Sequence, residues 1–343
     1  MKGLSALWTK LILRSYGWKP TDKVVRYENN PVLSAKDIPY DAALIFNAGV
    51  VKYKGKYLMA FRDDYCYDSR NRRRLHTHIG LATSDDGVRF TPFDKPFIDY
   101  DKIHRGEVER MYDPRLTVIE GELYLCFAQD TKHGLRGGIA RINDDLTSYE
   151  ILSLSVPDDR NMVLFPEKID GKYVRLERPM PVYSRGGKEL FDTWISFSPD
   201  MKYWGESKLL LAQENVPFSN CKVGPAAPPV KTDRGWLTLF HAVKKDARLL
   251  KNGWERRWKK VYSAGVMLLD LNDPTKVLGV CREPLLMPQA PYELYDGFRN
   301  NAIFPCGMVL EDDGEVKIYY GAADTVTCLA TAKVDDLIDL CLQ

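Results

Sequence analysis

Five glycine-bearing turns, each set between two apolar runs, predict an all-β chain. Each pair of runs is followed by a further apolar run that ends on acidic residues, in the same order every time. A unit of three or four strands recurring five times, at intervals of roughly 50 to 80 residues, is the sequence form of a five-bladed β-propeller. A two-sheet sandwich would not require both features to recur in one order, so residues 1–343 read as a single propeller domain, preceded over 1–25 by a helical extension.

The extension comes first. Leu4, Leu7, Trp8 and Leu11 fall at helical spacing, which predicts a short amphipathic helix laid on the body or on another subunit. Lys10 interrupts the apolar stretch and no small-residue cleavage site follows, so a signal peptide is not expected. The blades follow. VVKYKGKYLMAF, LTVIEGELYLCF, LFPEKIDGKYVRL, PPVKTDRGWLTLF and GMVLEDDGEVKIYY each read as a tight hairpin in which Gly55, Gly121, Gly171, Gly235 or Gly314 supplies a positive φ. The strands ending in acidic turns are IGLATSDDG, GIARINDDL, WISFSPDMK, AGVMLLDLNDP and CLATAKVDDL.

Composition narrows the function classes. With 49 Lys and Arg against 47 Asp and Glu, the net charge of +2 argues for neither nucleic acid nor an anionic membrane as a partner. No apolar run approaches the ~20 residues of a membrane span. Seven scattered cysteines without a C-x-x-C pair fit a reduced cytoplasm.

In a propeller the start of each inner strand and the end of the next strand meet opposite the glycine turn. Those open ends carry Asn47 with Arg62 and Asp63, then Asp113 with Gln129 and Asp130, then Arg160 and Asn161 with Arg178, then Lys222 with His241, and finally Asn300 and Asn301 with Asp324. Strand ends are commonly polar and solvated, but Arg178 and His241 interrupt apolar strands that have not ended, which favours a polar axial funnel. Blades one, two and five offer mainly acids and amides, suited to sugar hydroxyls. Blades three and four offer Arg160, Arg178, Lys222 and His241, a cradle for a doubly charged oxyanion.

These residues resemble those of the mannoside phosphorylases of glycoside hydrolase family 130. The resemblance runs through FNAG and FRDD, MYDPR, RNMVLFPEKIDGKYVRLERP, CKVGPAAPP, LFHAV and YYGAADT, from about Asn47 to the C-terminus. It implies a five-bladed propeller that cleaves a β-mannoside with inorganic phosphate and inversion, releasing α-mannose 1-phosphate. It further implies Asp113 as the general acid, acting through a sugar hydroxyl as proton relay, and Arg160, Asn161, Arg178, Lys222 and His241 around phosphate. Asn47, Arg62, Asp63, Tyr112 and Asp324 would contact the mannose, joined by Asp130 from its place at the same open end. Ala48 departs from the Ser that often follows the Asn in related sequences. Related enzymes act on several β-1,2 and β-1,4 linkages, and a mannobiose-type substrate is the expectation here. Phosphate would be a co-substrate, with no cofactor or metal, and the chain would form a homo-oligomer, a dimer or larger.

The chemistry supports phosphorolysis over hydrolysis. Inversion with water needs a second carboxylate as base, whereas phosphate is already anionic and needs cations to position it. A non-catalytic binding propeller would repeat one aromatic pocket in each blade, and these blade ends differ from one another. To donate a proton, Asp113 must hold its pKa above the ~3.9 of a free aspartate. Arg115, two residues on, must therefore be engaged elsewhere. His76 and His78 read as structural or substrate-loop residues rather than metal ligands. The basic run at Arg70, Arg72, Arg73 and Arg74 reads as surface or subunit contact, HGLRGG at 133–138 as a flexible insertion near the axis, and Trp254–Trp258 as a cover for the acceptor sugar or a subunit contact.

Overall fold

The structure, a computed structural model, describes residues 2–65, 76–103, 107–181, 184–249 and 259–343. The basic run at 70–74 and the tryptophan segment at 254–258 lie outside the described residues. Five antiparallel sheets surround one axis. Blade one runs outward through Leu44–Tyr53, Lys56–Tyr65, His76–Ser84 and Thr91–Pro92. Blade two uses Val108–Ile119, Glu122–Thr131, Gly134–Ile142 and Tyr149–Leu154, and blade three Asp159–Leu164, Tyr173–Pro179, Thr193–Ser198 and Gly205–Leu211. Blade four has Lys222–Pro225, Trp236–Lys245, Lys260–Leu269 and Val277–Val280, with Val230–Lys231 pairing beside its second strand.

Blade five is made from both parts of the chain. Ile303–Leu310, Glu315–Ala322 and Val326–Lys333 come late in the sequence, and its outer strand is Val25–Arg26, paired antiparallel with Thr331 and Ala330. Residues 1–25 are thus not only a helical extension, because Val25 helps close the ring. The expected helix is present over Lys2–Ser15, but it docks through Ile12 and Leu13, which pack with Leu249, Val261, Met287 and Leu294. Leu7, Trp8 and Leu11 face outward, about half exposed. The helix is where the periodicity puts it, and of the two places expected for its apolar face, the body is not the one that covers Leu7, Trp8 and Leu11.

All five turn glycines have positive φ, and in blades one to three the preceding residue does too (Lys54, Glu120, Asp170), the two-residue geometry that suits the twist of a hairpin. Four acidic runs follow their strands as turns, where Asp86, Asp200 and Asp270 accept backbone N–H groups two and three residues on. The fifth run instead opens the helix Val334–Leu342, placing Asp335 and Asp336 in its first turn, where a helix favours negative charge. HGLRGG is not an insertion. It starts the third strand of blade two, in register with Glu122–Thr131.

Candidate active site

The inner strands are apolar along most of their length and polar where they begin, so the open ends meet in one axial pocket of about 220 Å³. Three bulges aim its side chains. Register slips between Phe46 and Gly49, Tyr112 and Arg115, and Arg160 and Val163. Within each slip one residue turns left-handed: Asn47 at φ 52°, Asp113 at φ 55° and Asn161 at φ 62°. Asn and Asp tolerate that conformation better than other side chains, and a bulge re-aims the residue it displaces. Asp324, at φ 49°, enters the pocket from blade five by a turn of the same hand.

One side of the pocket is a closed ionic network. Asp113 Oδ1 accepts from Asn47 Nδ2 at 2.9 Å and from Arg62 Nη1 at 3.0 Å. Arg62 also holds Asp64 with Nε at 3.0 Å and Nη2 at 2.9 Å, and its guanidinium lies between the rings of Phe46 and Tyr112. Arg299 Nη1 donates to Asp324 at 2.9 Å. Tyr112 donates to Asp130 at 2.7 Å, and Arg110 reaches the other oxygen of the same carboxylate at 2.6 Å.

The opposite side is cationic. Arg160, Arg178, Lys222 and Lys260 converge there with His241 and Tyr262. Lys222 Nζ and the Arg178 guanidinium both lie over Phe191, at 4.2 and 4.9 Å from its ring centroid. Arg178 is 2 % exposed, and its Nε and Nη2, like Nε of Arg160, have no hydrogen-bond partner among the described residues. Gly224 permits this crowding, since a Cβ there would stand 2.5 Å from the His241 ring and 2.7 Å from Arg178 Cδ.

Electrostatics follow from this division. Burial, with Arg178 and Arg115 nearby, drives the His241 pKa well below its ordinary value, so the ring is neutral. Its Nδ1 stands 3.2 Å from the Pro225 carbonyl, which can only accept, so Nδ1 carries the hydrogen and Nε2 is an acceptor. Burial together with Arg178, Lys260 and Arg160 lowers Lys222 to about 7. Burial and Arg160 lower Arg178 to about 9.

Of the residues expected at the site, Asn47, Arg62, Tyr112, Asp113, Arg160, Asn161, Arg178, Lys222, His241 and Asp324 line the pocket. Two do not. Asp63 points the other way, because neighbours on a strand face opposite sides and Arg62 takes the inward position. It is wholly buried near Tyr40, and burial raises its pKa to about 8. Asp130 stands behind Tyr112, holding that ring and Arg110 in place.

The expectation of a raised Asp113 pKa is also corrected. Burial pushes it up, but Arg62, Arg115 and Asn47 outweigh burial and leave the carboxylate ionised in the free protein. Arg115 is indeed engaged, donating from Nε to the Ala226 carbonyl and from Nη1 to the Asp113 carbonyl, both at 2.8 Å. Its charge still acts on Asp113.

The sequence reading missed Asp64, Arg110, Lys260, Tyr262 and Arg299. A strict two-residue period from Arg62 would have selected Asp64 instead of Asp63. Lys260 and Tyr262 lie on the third strand of blade four, where no local pattern marks them. His76 and His78 form an aromatic group with Tyr65 and Tyr100, with the His78 ring stacked 4.0 Å from Tyr65.

A family model described as beta-1,4-mannooligosaccharide phosphorylase matches residues 18–343. The chain belongs to glycoside hydrolase family 130. As a family 130 member it is an enzyme of glycosyl transfer with phosphate. Beta-1,4-mannooligosaccharide phosphorylase of Ruminococcus albus is 35% identical, over 93% of this chain and 90% of its own. The 1,2-beta-oligomannan phosphorylase of a Thermoanaerobacter species is 30% identical, over 92% of this chain and 99% of its own. The solved structure of beta-1,2-mannobiose phosphorylase from Listeria innocua superposes with a TM-score of 0.75 at 27% identity, covering 92% of this chain and 98% of its own. Among the described residues no helix is long and apolar enough to cross a membrane.

Proposed function

We propose that the protein cleaves a β-1,2- or β-1,4-linked mannobiose or short β-mannoside by inverting phosphorolysis, reversibly, with α-D-mannose 1-phosphate as product and no cofactor. The observation that carries this reading is the cationic side of the pocket. A buried guanidinium, a half-buried one and a lysine press together there, and among the described residues no carboxylate lines that side of the pocket. Such a group favours a doubly charged, oxygen-rich anion, for which Arg supplies bidentate donors. A hydrolase gains nothing from it and needs a carboxylate there to activate water.

In this reading the Asn47, Arg62, Tyr112, Asp113, Arg299 and Asp324 side holds the mannose. Arg160, Arg178 and Lys222 hold hydrogenphosphate, with Asn161 beside them, and neutral His241 accepts its P–OH through Nε2. A phosphate oxygen bonds to C1 as the glycosidic C–O bond breaks with inversion. Asp113, protonated in the bound state, gives that proton to the leaving oxygen, directly or through a sugar hydroxyl, and is left ionised, while the hydrogen of hydrogenphosphate leaves to solvent as the product departs. Asp113 is ionised in the free protein, so it gains its proton in the bound state, where the negative charge of phosphate favours the neutral acid. The test is cleavage of β-1,2- and β-1,4-mannobiose with and without phosphate, with the products followed by ³¹P NMR. Saturable dependence on phosphate and formation of mannose 1-phosphate are expected, and equal release of free mannose without phosphate overturns the assignment. Running the reaction backwards from mannose 1-phosphate over a panel of acceptors identifies the linkage.

A further inference from the structure

A buried carboxylate joins the strand that closes the ring to one wall of the pocket. Glu293 is wholly buried and accepts five hydrogen bonds. Arg26 Nε donates at 2.8 Å and Nη2 at 3.1 Å, Tyr320 at 3.0 Å, and the backbone N–H groups of Gln289 and Ala290 at 2.7 and 2.9 Å. Arg26 belongs to the outer strand of blade five and also donates to the Met287 carbonyl at 2.8 Å. The same segment then continues into the site. Asn301 N–H donates to the Glu293 carbonyl at 2.8 Å, and Tyr262 N–H donates to the Asn301 carbonyl at 2.9 Å. Between them lies Arg299, whose N–H is bound to the Ala323 carbonyl at 2.8 Å and whose Nη1 holds Asp324. Arg299, Tyr262 and Asp324 all line the pocket. Glu293 does not.

We propose that Glu293, locked by Arg26, is a positioning residue for the sugar side of the pocket, acting through the turn between Glu293 and Asn301 on Arg299 and Asp324. This rests on assigning that side to the sugar. The physical basis is that five donors surrounding one carboxylate define a single arrangement of the segment. An amide of the same shape would turn an NH₂ towards N–H and O–H donors, and the segment must shift to accommodate it. Glu311 provides the control. It too is a charged link, here between blades one and five, accepting from Tyr57 at 2.6 Å and Lys317 at 2.9 Å, but it lies at the glycine-turn end, away from the pocket.

The experiment compares wild type with Glu293→Gln, Arg26→Met and Glu311→Gln, measuring Tm and, well below it, separate KM values for mannobiose and phosphate. In Glu293→Gln the mannobiose KM should rise about tenfold while the phosphate KM stays within about twofold. Arg26→Met should move in the same sense, and it carries the test if Glu293→Gln does not fold. Glu311→Gln should lower Tm with both KM values unchanged. An unchanged mannobiose KM in Glu293→Gln and Arg26→Met, or an equal rise in both KM values, overturns the inference. Failure of the functional reading shows instead in the wild type, as the lack of phosphate-dependent cleavage. Mannose affinity by titration calorimetry then replaces KM, with weakening expected in Glu293→Gln and Arg26→Met but not in Glu311→Gln, and absence of mannose binding to the wild type overturns this inference too.

Discussion

The two sides of the axial pocket both carry charged side chains, yet they are built on opposite rules. On the side of blades one, two and five, each charge meets its partner: Arg62 lies between Asp64 and Asp113, and Arg299 holds Asp324. On the side of blades three and four, cations face cations, and burial together with those neighbours lowers the pKa values of Arg178 and Lys222. A network that is already satisfied sets a shape. One left unsatisfied favours the ligand that completes it, and only folding of the surrounding apolar strands can hold it together until that ligand arrives.

The largest effect expected is on chemistry. Asp113→Asn should reduce turnover about 10²–10⁴-fold, the range of a lost general acid, while circular dichroism and phosphate binding stay near wild type. Substantial residual activity would place the acid elsewhere and weaken the division between the two sides. Next comes stability. Arg62→Met leaves Asp64 and Asp113 buried without their cation and should cost about 3–5 kcal/mol in denaturant unfolding. Arg178→Met removes an uncompensated cation, so its Tm without phosphate should be unchanged or higher. Phosphate at 100 times its Kd should stabilise the wild type by about 2.7 kcal/mol and this variant far less. If both arginine variants lose equal stability, the contrast between the two sides is wrong.

A smaller effect lies in pH dependence. The Lys222 pKa in the folded protein is about 7, below the ordinary 10.5, so above about pH 7 the unfolded chain binds the extra proton. Its penalty is fully present below pH 7 and is relieved as pH rises towards 10. Stability of the phosphate-free wild type relative to Lys222→Met should therefore increase across that window. Phosphate, by favouring the charged amine, should be bound with proton uptake above pH 7, measurable by calorimetry in buffers of different ionisation enthalpy. Smallest on activity is Asp63→Asn. Asp63 titrates near 8 in the fold against 3.8 ordinarily, so the native state binds the extra proton and the wild type loses stability as pH rises from about 4 to 8. The variant should lack that loss and keep both KM values, and a raised mannobiose KM would return Asp63 to the site.

What could be read from the chain alone followed from periods and turns. Gly55, Gly121 and Gly171 mark hairpins because a two-residue turn demands positive φ, and that demand is local. The recurrence of those hairpins counted the blades. Asn47, Asp113 and Asn161 were legible as open-end residues, although the bulges that aim them were not. Asp63 was misread because adjacent acids on a strand look alike in sequence while facing opposite sides. Leu7, Trp8 and Leu11 are left uncovered by the body for a related reason: a helix has a stripe wherever its apolar residues fall, but which stripe is covered depends on what lies beside it.

The sequence by itself determined the number of blades, the direction of each strand and the sorting of acids from cations around the ring, since these depend on residues within a few positions of one another. Only the tertiary structure decided which strand closes the ring, that Lys260 and Tyr262 reach the pocket, and that Asp113 is ionised in the free protein. Each of these depends on groups brought together from distant parts of the chain. The charge on Asp113 is set by Arg62, 51 residues away in the chain and 3.0 Å away in space. The balance between its burial and that neighbour is a property of the packed ring and of no segment within it.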